Sequence, residues 1–345
     1  MTRNIRIIWV ASVVFGLAIG AYDFVLPYYL KARGLDYAHM GTIFAISSLV
    51  MFFVRIYVGR LSDLFGRKRF YSLALLGSGL ANLLTPVAGS VTPLALLRSL
   101  REASAVTRES IHALLLYKES RSRYAELLGK TFGSEYVFQG IGTLAAGVVM
   151  AYLGMGQALT ACAILLMAVF LLFSIGFQER KEPDAPQPPP VSWIRLFSFD
   201  MPRELQILAV ASFLLSVGVS CSHCFMMPLF FKEKFLAPAT LVAAILAVHR
   251  MVLGLPVLFA GRYTPYLRLR NSYAAFVSLQ GILIAVAGII PSLWPTAILW
   301  LLHDLLAGGF AFPIQSTMIQ RYSDEATRGL HVSKAMAYSA LGWVL

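Results

Sequence analysis

The chain has 345 residues, of which 58% are hydrophobic and 13% are charged, and its mean hydropathy is +0.71. Soluble domains carry roughly a quarter of their residues as charged side chains, so the composition excludes a soluble fold and predicts a chain that lipid solvates. A net charge of +12 could indicate nucleic-acid binding, but the basic residues lie between apolar stretches and form no patch interleaved with aromatic residues. We therefore interpret them as determinants of membrane topology and predict no nucleic-acid partner.

Apolar stretches that could cross a bilayer recur along the whole sequence. A helix needs about 20 residues to cross a hydrocarbon core of roughly 30 Å. The first stretch follows Arg3 and Arg6 as in a signal peptide, but it continues to Leu30 and therefore predicts an uncleaved helix. An eleventh crossing is predicted to begin near Lys334. The first ten are predicted at about 5–30, 36–58, 70–90, 93–117, 131–153, 156–178, 204–231, 238–260, 271–290 and 295–319.

A hydrophilic stretch with five prolines between Pro183 and Pro190 separates two groups of crossings. Proline cannot continue a helix, so this stretch is predicted to be a linker. The predicted organisation is an N-terminal six-helix bundle (1–178), a cytoplasmic linker (179–203) and a C-terminal bundle (204–345) with helices 7–10 and the start of helix 11.

An internal repeat supports two related halves. The segment Asp23–Pro27 recurs as Cys224–Pro228, and Gly59-Arg60 recurs as Gly261-Arg262. Repetition at a six-helix spacing predicts two parallel six-helix halves. The partners of the fifth and sixth crossings would end beyond residue 345, so we expect the fold to be truncated within helix 11.

The distribution of basic residues predicts the orientation. Only four of the 29 lysines and arginines lie in the predicted outer loops, namely Lys31, Arg33, Lys232 and Lys234. Because cytoplasmic loops carry the excess of Lys and Arg, the N-terminus is predicted to be cytoplasmic. We expect a multi-pass protein of the cell membrane, and a monomer.

The connection between the second and third crossings, from Gly59 to Arg69, is predicted to be a short charged loop. It resembles the signature loop of the major facilitator superfamily, Gly-x-x-x-Asp-x-x-Gly-Arg-Arg/Lys. The positions that match are Gly59, Asp63, Gly66, Arg67 and Lys68, whereas Leu64 stands where the family usually has a basic residue.

This resemblance implies an all-α multi-pass fold and secondary active transport of a small molecule by alternating access. It also implies that Asp63 pairs with Arg67 near the N-terminus of helix 11 and latches the two halves in the outward-open state. Arg55, one turn before Gly59, fits the same cytoplasmic gate.

Ionisable residues inside the crossings are costly and normally face a cavity. Helix 4 carries a stripe of them on one face, at steps of three, four and seven, formed by Arg98, Arg101, Glu102, Arg108, Glu109 and His112. The resemblance implies that helices 1, 4, 7 and 10 line the central cavity. At 1.5 Å per residue, one layer roughly 10–13 Å below the outer surface would contain Asp23, Arg101, Glu102, His223, His303 and Asp304.

We predict that this layer binds substrate and couples transport to protons. Asp23 and Glu102 are predicted to be the proton-linked carboxylates, and Arg101 a counter-charge or anion ligand, with the second half contributing His303 and Asp304. The alternative is that these groups form structural pairs. Arg108, Glu109 and His112 could form an inner gate or simply be solvated there. His249 and Arg250 could face the cavity or pair locally.

No metal or cofactor is predicted. Cys221, His223 and Cys224 occupy a single helical turn, which cannot close a tetrahedral site alone. Gly129-Lys130-Thr131 resembles the end of a nucleotide-binding loop, but Tyr124 occupies the position of its first glycine. No nucleophile–base set suggests an enzyme.

The predicted function is proton-coupled transport of a small molecule, with efflux favoured because drug antiporters have a glycine-rich stretch related to Gly140–Gly147. Those glycines could equally serve close helix packing. Two alternatives remain. Three arginines on one stripe of helix 4 would suit an uptake symporter for a small organic anion, and a transporter scaffold could also serve as a non-transporting receptor.

Overall fold

The computed structural model describes residues 2–179, 196–220, 226–323 and 327–342, which include parts of every predicted crossing. The first half consists of α1 (Arg3–Ala32), α2 (Tyr37–Phe65), α3 (Arg67–Leu84), α4 (Val91–Glu119), α5 (Tyr124–Tyr152) and α6 (Met155–Gly176). The second half consists of α7 (Arg203–Ser220), α8 (Met226–Phe235), α9 (Ala239–Leu258), α10 (Ala260–Tyr263), α11 (Leu269–Ile289), α12 (Leu293–His303), α13 (Gly309–Tyr322) and α14 (Arg328–Leu341).

Every regular element in these ranges is helical, so the predicted all-α fold is confirmed. The helices α7 and α8 form the seventh predicted crossing, α9 the eighth, α11 the ninth and α14 the start of the eleventh. The tenth consists of α12 and α13, joined by one turn of π-helix, Asp304–Gly308. Most of the predicted linker lies outside the described residues, so the division into 1–178, 179–203 and 204–345 stays a prediction.

Eight helical stretches of the described chain are long and apolar enough to cross a membrane. The helix α4 is long enough but carries too many charges to be among them. Large apolar side chains stand exposed on the outside of the bundle, as lipid solvation requires; examples are Leu73, Leu96, Ile164, Ile175 and Ile282.

The signature segment is more helical than the predicted loop. The helix α2 continues to Phe65 and α3 begins at Arg67, so only Gly66 lies between them. Gly66 has φ 93°, a conformation that glycine adopts without strain. The N-terminus of α3 is capped by Glu179, whose two carboxylate oxygens accept from the backbone N–H of Arg67 at 2.9 Å and of Lys68 at 3.0 Å.

Two other helices begin earlier than predicted, α5 at Tyr124 instead of about 131 and α14 at Arg328 instead of about 334. Hydropathy detects only the apolar part of a helix. At the start of α5, Glu126 pairs with Arg123 at 2.9 Å and with Lys130 at 2.6 Å. Such pairs three and four residues apart support a helical turn outside the apolar span.

Helix α5 lies between α1 of its own half and α9 of the other, at distances that only glycine permits. A Cβ on Gly142 would lie 2.1 Å from the carbonyl oxygen of Leu17, and a Cβ on Gly140 would lie 2.4 Å from that of Ala247. The glycine-rich stretch of α5 therefore serves close packing on both sides.

This packing predicts that Gly142→Ala lowers the thermal unfolding temperature of the detergent-solubilised protein by several degrees. The added Cβ must push the backbone of α1 away, which costs about 1–3 kcal/mol. The matched control is Gly281→Ala in α11, where nothing lies within 4 Å of the added Cβ. Equal unfolding temperatures for the two variants would contradict the packing argument.

Candidate substrate and coupling site

A cavity of about 500 Å³ lies between the two halves, within the range of roughly 300–1,000 Å³ usual for small-molecule sites. Helices of both halves contribute to its wall. The charged residues that line it are Asp23, Arg55, Arg98, Glu102, Arg108, Glu109, Glu135, Arg250 and Asp304. Apolar surface between them comes from residues such as Phe15, Phe44, Met51, Phe132, Phe312 and Met336.

The first group of charges joins α1 to α4. Arg98 Nη1 lies 2.8 Å from Glu102 Oε1, and Arg101 Nη2 lies 3.3 Å from Asp23 Oδ1. Arg101 also pairs with Glu102, and its guanidinium lies 4.5 Å from the centre of the Tyr22 ring. Two cations thus face two carboxylates, and the aromatic face helps to stabilise the charge.

These four residues are not equivalent. Asp23, Arg98 and Glu102 line the cavity, whereas Arg101 lies behind them with a side chain 4% exposed. The structure therefore brings together Asp23, Arg101 and Glu102, as the sequence predicts, and adds Arg98 to the group. The steps of three and four residues along α4 place its members on one face.

The second group joins α4 to α2 and α5. Arg55 Nη2 lies 2.6 Å from Glu109 Oε2, and Arg108 Nη2 lies 2.5 Å from Glu135 Oε1. The side chain of Arg55 lies in the cavity wall, opposite α4, and its predicted part in the latch stays a prediction. Glu135 lies outside the predicted set of site residues. It is the only acid within the apolar part of α5, and this is the signal that could have found it, since such groups require a buried partner.

His112 does not line the described cavity and is fully buried inside the first half. Its Nε2 lies 3.0 Å from Thr131 Oγ1, and its Nδ1 lies 3.3 Å from Tyr71 Oη and 3.4 Å from Arg108 Nη1. His112 therefore connects α3, α4 and α5 behind the cavity wall rather than at its mouth.

The polar group of the second half is built around Asp304, the first residue of the π turn. His249 Nε2 from α9 lies 2.8 Å from Asp304 Oδ2, and His303 Nε2 lies 3.3 Å from Asp304 Oδ1. Asp304 lines the cavity, whereas the two histidines lie behind it, fully buried. His249, whose partner the sequence left open, thus pairs across helices. The predicted residue of the seventh crossing, His223, lies outside the described residues together with Cys221 and Cys224.

The family model described as Major Facilitator Superfamily matches residues 8–345. The chain belongs to the Major Facilitator Superfamily. It is therefore a membrane transporter and not an enzyme. A search of curated protein sequences finds no match to this superfamily member.

Two solved structures of transporters share the fold of this superfamily member. The human organic anion transporter MFSD10 (TETRAN) aligns with a TM-score of 0.78 at 15% identity, over 99% of this chain and 91% of that one. A mutant of the nucleoside transporter NupG aligns with a TM-score of 0.72 at 14% identity, over 99% of this chain and 89% of that one. At these identities the likeness shows the fold alone.

The signature motif of the superfamily lies where α2 meets α14. A Cβ on Gly59 would lie 2.1 Å from Ser333 Oγ and 2.7 Å from the carbonyl oxygen of Gly329, so the two helices touch at this glycine. Arg67 Nη1 donates to the carbonyl oxygen of Leu114 at 3.2 Å. The side chain of Asp63 lies outside the described part of the chain, so its pairing with Arg67 stays a prediction.

At the opposite end of the bundle, a second contact joins the halves. Lys31 at the end of α1 donates to Glu233 of α8 and to the hydroxyl of Tyr37, both at 2.6 Å. Tyr37 also hydrogen-bonds Glu233. Lys31 is predicted to lie in an outer loop, but its pairing with Glu233 could not be predicted from the sequence, because the two residues lie in different halves. The halves thus touch at both ends of the described bundle.

Proposed function

We propose that the protein is a proton-coupled secondary transporter that moves a small amphipathic molecule by alternating access. The observation that supports this most strongly is the cavity shared by both halves, in which Asp23 and Glu102 stand beside arginines. Asp304, with His303 behind it, would contact the same substrate from the second half.

The residues that line the cavity also indicate the class of substrate. Five carboxylates and four guanidiniums line the described cavity, so its charges are nearly balanced. Arg55, Arg98 and Arg108 each lie within salt-bridge distance of an acid. An organic anion bound at any of these three would have to displace an existing partner, whereas Arg250 lines the cavity with no acid of the described residues within salt-bridge distance. Aromatic and methionine side chains between the paired charges favour a neutral or cationic amphipathic substrate there.

Proton coupling follows from the way a rocking motion changes these contacts. A carboxylate in a poorly hydrated cavity takes up a proton more readily when a neighbouring guanidinium moves away. Asp23 belongs to α1 and its arginine partners belong to α4. A small shift of one helix against the other would therefore link proton uptake to the change of conformation. Efflux remains the proposed direction, although packing accounts for the glycines of α5.

We expect Asp23→Asn and Glu102→Gln each to reduce transport driven by a pH gradient at least tenfold in reconstituted vesicles. Neither variant retains a titratable group at its position, but each keeps its shape. The control is Glu126→Gln, which removes an acid whose side chain is 36% exposed at the start of α5. The substrate is first identified by a thermal-shift screen. Full coupled transport by both cavity variants would refute the carboxylate roles, and ligand binding without flux in the parent would favour a receptor.

We further propose that the N-terminus is cytoplasmic and that the protein is a monomer of the cell membrane. The concentration of basic residues at the end of the bundle where α1 begins supports this orientation. Residue Gly89 lies in a connection at the opposite end, and Arg121 in a connection at the same end as the N-terminus.

Cysteine labelling tests this orientation. In a background with the three native cysteines replaced by serine, a membrane-impermeant maleimide added to intact cells should label Gly89→Cys but not Arg121→Cys. Both positions are exposed, so both should react once the cells are permeabilised. The reverse pattern on intact cells would show that the orientation is inverted.

A further inference from the structure

We propose that His249, His303 and Asp304 form a binding site for one divalent transition-metal ion of the Zn²⁺ class, reached from the cavity. This site goes beyond the proposed transport function, and neither proton coupling nor a direction of transport is needed for it.

The three side chains present the right atoms at nearly the right spacing. One ligand atom from each lies within 4.8 Å of the others, and all three residues are buried. Zn²⁺ bonds to histidine nitrogen and carboxylate oxygen are about 2.0–2.2 Å long, which places tetrahedral ligand atoms roughly 3.3–3.5 Å apart. His249 Nε2 lies 2.8 Å from Asp304 Oδ2 and His303 Nε2 lies 3.3 Å from Asp304 Oδ1. Since the three ligand atoms lie within 4.8 Å of one another, side-chain movements of up to about 1.3 Å would bring them to tetrahedral spacing.

A neighbouring carbonyl orients His303 for this role. The Nδ1 atom of His303 hydrogen-bonds the carbonyl oxygen of Trp300. A carbonyl can only accept, so Nδ1 carries a proton, and the ring in its neutral form presents a lone pair at Nε2. This lone pair faces a carboxylate oxygen, Asp304 Oδ1. Two acceptors that face each other are favourable when a cation is shared between them, which is the arrangement of a histidine held for metal binding by a backbone partner.

The second histidine is also held in place. The ring of His249 stacks on the indole of Trp300, with ring centres 3.6 Å apart and planes inclined by 8°. Trp300 itself is 1% exposed. One tryptophan therefore fixes the ring of His249 by stacking and the tautomer of His303 through its carbonyl, so the two ring planes need little reorientation to bind an ion. The ion would replace the proton shared by His249 Nε2 and Asp304 Oδ2 and release it to the solvent.

The π turn opens the site towards the cavity. It begins at Asp304 and ends at Gly308, where a Cβ would lie 2.3 Å from Asp304 Oδ1. Glycine at this position leaves room for the carboxylate. Asp304, Gly308 and Gln280 all line the cavity, so an ion can enter there and keep one coordination position for water or for a donor atom of a substrate. π-helical turns inside helices often mark functional sites.

The chemistry of the donor set selects the class of ion. Two imidazoles and one carboxylate suit Zn²⁺, Co²⁺ and Ni²⁺, whereas Ca²⁺ and Mg²⁺ prefer six or more oxygen ligands. A bound ion would connect α9 to the junction of α12 and α13. Because α9 also packs on α5 of the first half, occupancy of the site would stiffen the part of the second half that faces the other half.

The test is titration of the full-length detergent-purified protein, after removal of metal with a chelator, with ZnCl₂ alone. Calorimetry should show one ion per chain, and the thermal unfolding temperature should rise by several degrees. His249→Ala and Asp304→Asn should each weaken binding at least tenfold. His39→Gln, which removes an exposed histidine at the start of α2, outside the cavity lining, should not change it.

A second measurement does not depend on how well the variants fold. X-ray absorption of the zinc-loaded parent protein should show two imidazole ligands and one or more oxygen ligands. Absence of zinc binding would mean that the three residues form a hydrogen-bonded structural cluster only, and the proposal would be wrong. Binding that survives equally in His249→Ala and Asp304→Asn would be adventitious and would also overturn it.

Discussion

The ion pairs around α4 are the interaction on which the rest of the structure depends. This helix brings several charges into an apolar bundle, and carboxylates or guanidiniums from three other helices meet them: Asp23 from α1, Arg55 from α2 and Glu135 from α5. Leaving one partner of a buried pair alone costs roughly 3–5 kcal/mol. The pairs therefore fix the rotation of α4 against its neighbours, and they keep a polar wall inside a protein whose outer surface is apolar.

Helix α5 connects this wall to the other half. Its glycines let it approach α1 on one side and α9 on the other so closely that a Cβ on Gly142 or Gly140 would overlap with the backbone of the neighbouring helix. Contacts at the two ends of the described bundle differ from each other. At one end α2 packs closely on α14, where Gly59 meets Ser333, and at the other a half-exposed pair joins Lys31 with Glu233. An end held by an exposed ion pair can open when one half rocks against the other.

The fold could largely be predicted from the sequence, because long apolar stretches have few alternatives in a membrane. The stripe on α4 could also be predicted, since helical periodicity shows which residues share a face. Periodicity does not show which neighbouring helix that face meets. The partners of Arg108 and Asp304 are Glu135 and His249, from helices that the sequence did not assign to the site. The π turn could likewise not be predicted, because one extra residue in a helical turn leaves the hydropathy of the segment unchanged.

We propose that protonation of the carboxylates on α1 and α4 drives the halves between two arrangements. Distances measured by pulsed electron paramagnetic resonance test this proposal. One pair of spin labels is placed at Gly89 and Ser292, on one face of the membrane, and the other at Arg121 and Tyr266, on the opposite face. Changing from alkaline to acidic buffer should lengthen the distances on one face and shorten them on the other. The change should disappear in the double variant Asp23→Asn/Glu102→Gln. Distances that do not change with pH in the parent protein, or that change equally with pH in the double variant, would contradict the account.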